Sequence, residues 1–133
     1  MPRPDPNQVA WQLQKRWVEP PTYQLSFIAS LKGKNLFGGN TSSSLTRPIQ
    51  ATHDLGMAQV YLLFLNSRRE EARMWLGEDV QTPGDRSKNP DAQLWDKSGN
   101  AVRVVEFGGC YTAKRVSSFH HYCVGRAIPY EIW

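Results

Sequence analysis

Cysteine and long apolar runs are both scarce in this chain. Its two cysteines, Cys110 and Cys123, are too few for a disulfide framework, so we expect reduced thiols. No run of about 18 apolar residues is present, and residues 1–6 lack the charged-then-apolar pattern of a leader. We therefore expect a cytoplasmic protein that is neither secreted nor associated with a membrane.

A zinc site is also poorly supported. Cys110, His120, His121 and Cys123 could supply four ligands, but their spacing matches none of the usual paired patterns. The second pair also lies in a stretch with helical spacing. We interpret both cysteines as ordinary thiols.

Composition and charge indicate one globular domain with a basic N-terminal part. The chain has 133 residues, of which 40% are hydrophobic and 11% aromatic, and this suffices for a single core. The net charge is +4, and residues 1–50 hold six basic against two acidic side chains, so the whole excess lies there. We expect residues 1–50 to form a basic extension that suits contact with phosphates, and residues 51–133 to form the core.

The basic extension is predicted to contain one helix, one strand and one loop. Apolar spacing predicts a helix over Asn7–Val18, ended by Glu19-Pro20-Pro21. Alternation predicts a strand over Tyr23–Leu31, and the Gly- and Ser-rich stretch Lys32–Pro48 is predicted to be a mobile loop. Three basic residues of this loop are the expected contacts to a nucleic-acid backbone: Lys32, Lys34 and Arg47.

The rest of the chain alternates helices with short strands. Thr52 is a suitable cap for a helix that is apolar nearly all round, so this helix is predicted to be buried. A short strand that starts at Met74 and ends at Gly77-Glu78-Asp79 precedes a central hairpin, and a helix over Thr112–Arg126 and a strand over Pro129–Trp133 follow it. This order predicts an α/β (α+β) domain with a short mixed sheet.

The central hairpin carries two acids of particular interest. Its strands, Ala92–Trp95 and Ala101–Phe107, are joined by a turn cluster. If they pair about the Ser98-Gly99 centre, Asp91 lies directly opposite Glu106. Like charges so close must be protonated, paired with cations or bridged by a metal ion, and an open strand end suits Mg²⁺. A three-residue turn with a bulge would instead place the acids on opposite faces.

From Thr52 onward, the order helix, strand, strand, strand, helix, strand resembles the PD-(D/E)xK restriction-endonuclease-like superfamily. Pro90-Asp91 opens the second strand and Glu106 lies near the end of the third. Over about the last eighty residues, three pieces look more narrowly like the C-terminal part of replication-relaxation proteins of plasmids and mobile elements: Thr52–Leu55, Pro90–Ala92 and Val105–Tyr111.

The resemblance implies a restriction-endonuclease-like core and a Mg²⁺-dependent nuclease acting on DNA, with Asp91 and Glu106 as metal ligands. The motif's lysine should lie two residues after Glu106, where this chain has Gly108. Lys114 or Arg115 could supply the cation from the following helix, whose N-terminus also favours a phosphate.

Two further residues are candidates at the same site. Glu78 ends the first strand and could be a third acid there. His53 is expected to make a local hydrogen bond at its helix start, and it could border the same cleft. The alternative to a nuclease is a catalytically inactive module that retains the fold and binds nucleic acid or dimerises. A homodimer is possible with either function.

Overall fold

The helices and strands follow the predicted order from the central hairpin onward. The computed structural model describes residues 5–17, 31–36, 48–78 and 89–133. Within these ranges the helices are α1 (Pro6–Trp17), α2 (Leu31–Leu36), α3 (Pro48–Ser67), α4 (Arg69–Ala72) and α5 (Ala113–Gly125). The strands are β1 (Trp75–Gly77), β2 (Ala92–Trp95), β3 (Ala101–Glu106) and β4 (Tyr130–Ile132). None of the described helices combines the length and the apolar character needed to cross a bilayer.

The four strands form one mixed sheet in the order β1-β2-β3-β4. The first three strands are antiparallel neighbours, whereas β4 runs parallel to β3. A parallel neighbour cannot be reached through a tight turn, and helix α5 provides the crossover connection. The predicted mixed α/β domain with a short mixed sheet is confirmed.

Helices cover both faces of this sheet. On one face, Phe64 of α3 shares a core cluster with Leu94 and Val105. On the other face, Phe119 of α5 packs with Val104. Consecutive residues of β3 therefore point into different layers, as expected for a strand that is buried on both sides.

The N-terminal helix α1 lies within one residue of its predicted bounds and packs against α5. Its residues Ala10 and Leu13 share a cluster with Tyr111 and Val116. Residues 23–30 of the predicted strand and residues 37–47 of the predicted loop lie outside the described residues. The loop prediction is wrong for residues 32–36, which belong to α2, because leucine and lysine favour a helix enough to tolerate one interior glycine.

Helix α3 differs from its prediction in two ways. It begins at Pro48, since proline is favoured at a first helical position, and Thr52 therefore lies inside the helix instead of capping it. Its predicted complete burial is also wrong, because Val60 and Phe64 are fully buried whereas Leu62 is 54% exposed. A helix on the outside of a sheet buries only the stripe that faces the sheet, whatever its other residues are.

Candidate functional site

The pairing of β2 with β3 sets the two acids of the hairpin opposite each other. Ala92 lies opposite Val105, and extending this register by one residue places Asp91, just before β2, opposite Glu106. Nearer the turn the register shifts by one, because a bulge leaves Val102 of β3 unpaired and the turn is centred on Ser98 alone. The predicted centre between Ser98 and Gly99 is therefore wrong. The prediction that a three-residue turn with a bulge would displace the acids is wrong as well, because the bulge restores the register beyond it.

Both carboxylates accept hydrogen bonds from neighbouring backbone groups. The Asp91 amide donates to Glu106 Oε2 at 3.2 Å, and the Phe107 amide donates to Asp91 Oδ2 at 2.7 Å. The Tyr111 hydroxyl donates to Glu106 Oε1. The side chains thus satisfy backbone donors at the point where the ladder between the two strands ends.

Glu106 is the most constrained member of the pair. It is only 1% exposed, and a buried carboxylate is costly unless donors surround it. Burial is the main cause that raises the pKa of Tyr111, with the contact to Glu106 next. The phenol therefore keeps its proton at neutral pH and can donate to the carboxylate.

His53, in α3, supplies a positive charge to the site. Its Nε2 lies 3.1 Å from Asp91 Oδ1, and its Nδ1 lies 3.4 Å from Asp54 Oδ1. The hydrogen bond to Asp91 raises the pKa of His53 to about 9, although partial burial opposes this rise. The imidazole is therefore protonated at neutral pH, pairs with Asp91 and has no lone pair with which to act as a general base. The predicted local hydrogen bond is present, together with the longer-range contact.

Glu78 directly follows β1, the strand that pairs with β2, and lies beside Asp91. Its amide donates to the Asp91 carbonyl oxygen at 3.0 Å, while the residue itself is exposed. Within the described ranges, however, no three His, Cys, Asp or Glu side chains converge on a position for a metal ion.

Cys110 is exposed and Cys123 is buried, and both are free thiols.

The residues present fit a Mg²⁺ ion held by two carboxylates. Magnesium prefers oxygen ligands and is commonly bound through one or two carboxylates together with substrate phosphates. A carboxylate oxygen has two lone pairs, so a hydrogen bond from Tyr111 or His53 does not preclude a shared metal. The Asp91 side chain is 12% exposed and provides the access.

Arg115 is the basic residue of the α5 N-terminus that approaches the acids. Its guanidinium carbon lies 4.7 Å from the centre of the Tyr111 ring, and Tyr111 in turn binds Glu106. Lys114 is exposed, and its ammonium group forms no hydrogen bond or ion pair with any described residue. Thr112 caps the helix, its hydroxyl accepting from the Arg115 amide at 3.4 Å.

Gly108 occupies the position of the motif's lysine in a closely packed environment. A Cβ atom built there would lie 2.5 Å from Ile132 Cγ2 and 2.9 Å from Leu13 Cδ1. A side chain at this position requires the Ile132 and Leu13 side chains to shift. These two side chains occupy the space next to the Gly108 backbone that a lysine stem would need.

The structure brings together His53, Asp91 and Glu106 at one end of the sheet. Arg115 contacts the ring of Tyr111, and its link to the acids runs through that residue. Of the three predicted nucleic-acid contacts in the basic extension, Lys32 is exposed on α2, whereas the Lys34 side chain and Arg47 lie outside the described residues. Sequence reasoning missed Tyr111. The signal that could have identified it is the Gly108-Gly109 turn, which returns the chain toward Glu106.

Comparison of the chain with protein-family models, with curated proteins and with solved structures finds no match in any of the three. The resemblance described above therefore rests on element order and on the quoted motifs. The geometry of the site is the basis for assigning a function.

Proposed function

We propose that this chain binds DNA and cleaves a phosphodiester bond in a Mg²⁺-dependent reaction at the Asp91–Glu106 pair. The observation that carries the proposal is the adjacency of the two acids at the open end of the hairpin, where Glu106 accepts from the Asp91 amide and Asp91 accepts from the Phe107 amide. The resemblance to PD-(D/E)xK and replication-relaxation proteins is consistent with a role in plasmid or mobile-element replication or transfer.

The residues around the pair have distinct roles in this proposal. Asp91 and Glu106 would hold Mg²⁺, which when bound supplies a Lewis acid for the phosphodiester. Tyr111 and the Asp91 amide fix the Glu106 carboxylate in place. Arg115 is exposed beside them, and its planar guanidinium is suited to a phosphate oxygen pair.

His53 and Lys114 complete the charge balance. The His53 imidazolium offsets the charge of Asp91 and orients that carboxylate through its Oδ1 atom. Lys114 lies next to Arg115 at the start of α5, where its exposed ammonium offers a second contact to the nucleic-acid backbone. Glu78 is exposed one strand away and is the candidate for a third acid near the pair.

The proposal is tested by incubating supercoiled plasmid with the full chain and either Mg²⁺ or Mn²⁺. We expect nicked product from the wild type, and a rate lower by a factor of about 100 or more in Asp91→Asn and Glu106→Gln, the order of loss seen when one electrostatic element of a catalytic site is removed. Glu70→Gln is the matched control, since its side chain is 82% exposed on α4 and it removes one acid without touching the site. Circular dichroism establishes that each variant is folded. No nicking by the wild type with either metal, or nicking at the wild-type rate by both site variants, would defeat the proposal.

A second candidate function is a non-catalytic nucleic-acid-binding module with the same fold. The observation that favours it is the closed environment of Gly108, which leaves no space for the lysine of the nuclease motif. In this case DNA binding survives Asp91→Asn. DNA binding should weaken when Lys32, Lys34 and Arg47 are replaced together by glutamine. The slope of log affinity against log salt should then become shallower by roughly 3, because the variant neutralises about three fewer phosphates.

Fluorescence anisotropy with a labelled duplex measures both quantities across a salt series. Binding that is unaffected by the triple replacement would contradict the second candidate. The homodimer stays a prediction, and sedimentation velocity in the absence of DNA tests it.

A further inference from the structure

A cavity of about 440 Å³ lies between the first turn of α1, helix α5 and strand β4, and the proposed cleavage site does not use it. Its apolar walls come from all three elements, through Val9, Val116 and Ile132. Its polar lining residues are two neighbouring histidines, one carboxylate and two hydroxyl-bearing residues: His120, His121, Asp5, Ser117 and Tyr130. The volume lies within the range of about 300 to 1,000 Å³ that is usual for sites of small organic ligands.

The imidazoles have defined hydrogen-bonding partners. His120 Nδ1 lies 2.6 Å from the Tyr130 hydroxyl, so its ring is fixed against β4. His121 Nδ1 lies 2.7 Å from the Ser117 carbonyl oxygen, which can only accept, so this nitrogen carries a hydrogen. The His121 Nε2 atom makes no hydrogen bond with a described residue, and it can therefore bind a ligand.

The chemistry of the walls excludes two ligand classes. No lysine or arginine is among the described residues that line the cavity, and the negatively charged Asp5 is one of them. A phosphate or another anion is therefore disfavoured, because the lining would repel it. No set of three metal-ligating side chains is present among the described residues, although two of the lining residues are histidines. A ligand that matches this site is not anionic, has apolar surface for the aliphatic walls, and carries donors and acceptors for the polar groups.

We infer that this cavity binds a nucleobase. Aliphatic side chains would contact the ring faces, while His121 and Asp5 meet the exocyclic and ring nitrogens of the edge. Ile132 connects the cavity with the acid pair, because it lines the cavity and lies directly opposite Glu106 in the pairing of β3 with β4. In this proposal, a base turned out of a strand at the acid pair occupies the neighbouring cavity.

A base in this cavity can come from a nucleic-acid strand or from a free nucleoside, because both present the same groups. The assignment to a strand rests on the proposed function. The four deoxynucleosides are titrated into ¹⁵N-labelled full-length protein and followed by NMR, with deoxyribose as the base-free probe. We expect saturable shifts of the Val9, Ser117 and His121 amides with at least one nucleoside and none with deoxyribose.

Ser117→Trp fills the cavity from α5, and Ser118→Trp is its matched control because Ser118 is exposed on the same helix. We expect nucleoside binding at least about tenfold weaker in Ser117→Trp and unchanged in Ser118→Trp, where tenfold corresponds to about 1.4 kcal/mol. His121→Ala, at an exposed position, provides a second and milder test. No shift with any nucleoside, or wild-type binding by both Ser117→Trp and His121→Ala, would overturn the inference.

A further comparison identifies the source of the base. An oligonucleotide that binds more tightly than its abasic counterpart, with the difference lost in Ser117→Trp, assigns the cavity to a base of a strand. Nucleoside binding without that difference assigns it to a free nucleoside. Plasmid nicking is measured on the same samples. If nicking is intact and no base binds, the inference about the cavity fails while the proposed function stands.

Discussion

At the residue scale, the most demanding feature is the buried side chain of Glu106. Glu106 lies among apolar neighbours and depends on donors from Tyr111 and from the Asp91 amide. Removing a donor from a buried carboxylate costs more than an ordinary hydrogen bond contributes, because the group loses its solvation without compensation. The site is therefore sensitive to the loss of one hydroxyl group.

Tyr111→Phe is expected to lower the free energy of unfolding by about 1–3 kcal/mol, since it removes the donor to Glu106 Oε1 and keeps the ring. Urea unfolding followed by circular dichroism measures the change. Tyr122→Phe is the control, because the Tyr122 hydroxyl makes no hydrogen bond with a described residue. Equal losses in the two variants would contradict the role given to Tyr111.

Gly108→Ala is expected to destabilise the fold by about 1–3 kcal/mol, because its Cβ would press against Ile132 and Leu13. Gly77→Ala is the matched control, since no atom of the described residues lies within 4 Å of a Cβ at that position. Thermal unfolding of both variants under the same buffer conditions compares them. A Gly108→Ala variant as stable as the control would show that the space around residue 108 adapts without cost.

At the scale of elements, four charged side chains connect the α3–α4 junction with the sheet. Arg68 donates to both carboxylate oxygens of Glu131, each at 2.7 Å, and also binds Glu71. Arg103 of β3 donates to Glu71 and to Glu131, again at 2.7 Å. The hydrogen bond from Arg68 is the main cause that lowers the pKa of Glu71, and Arg68 likewise lowers the pKa of Glu131 against the opposing effect of burial.

These shifts predict acid sensitivity. A carboxyl group with a lowered pKa in the folded state stabilises the fold fully above its unfolded pKa, which is near 4.5 here, and loses this contribution as the pH falls through the folded value. We expect the free energy of unfolding to fall between pH 7 and about pH 3.5, and to fall less in a Glu71→Gln, Glu131→Gln double variant. Urea unfolding at the two pH values tests this.

Glu70→Gln serves as the control for the acid test, because this side chain is largely exposed and bound only to Arg73 in the described structure. It should show the pH dependence of the wild type. A double variant that loses as much stability as the wild type on acidification would contradict the role of the four-residue cluster.

The elements that the sequence predicted well are those whose signals are local. Two short apolar runs and the turn residues between them define the β2–β3 hairpin, and Thr112 with Gly125 bound helix α5. The exposed leucines of α3 were missed because exposure depends on which neighbours a helix has. The Arg68 cluster was missed for the same reason, since it joins residues that lie far apart in the chain.

At the scale of the whole molecule, the N-terminal helix contributes to the same core as the sheet. Leu13 is 3% exposed and belongs to a cluster with Tyr111 and Val116. Trp17 packs edge-on against Phe107, with ring centres 4.8 Å apart. The sequence could place Asp91 opposite Glu106 because one turn joins their strands, but the contact of His53 with Asp91 needs the packed tertiary structure.

Leu13→Ala is therefore expected to destabilise the entire fold by about 2–5 kcal/mol, with loss of circular dichroism and of tryptophan fluorescence in a single coincident transition. Trp11→Ala, at a position that is 60% exposed, should change stability by no more than about 0.5 kcal/mol. Two separate transitions in either variant would show that α1 unfolds independently of the sheet.

The turn of the central hairpin is held by hydrogen bonds among its own residues. Asp96 Oδ1 accepts from the amides of Ser98 and Asn100 at 2.8 and 2.9 Å, and the bulge at Val102 of β3 separates this turn from the register of the strands beyond it. Extra residues inserted after Ser98 would lengthen the tip without displacing Asp91. The tip is thus a natural attachment point for a fluorophore or an affinity peptide, through which the working protein can be followed or immobilised.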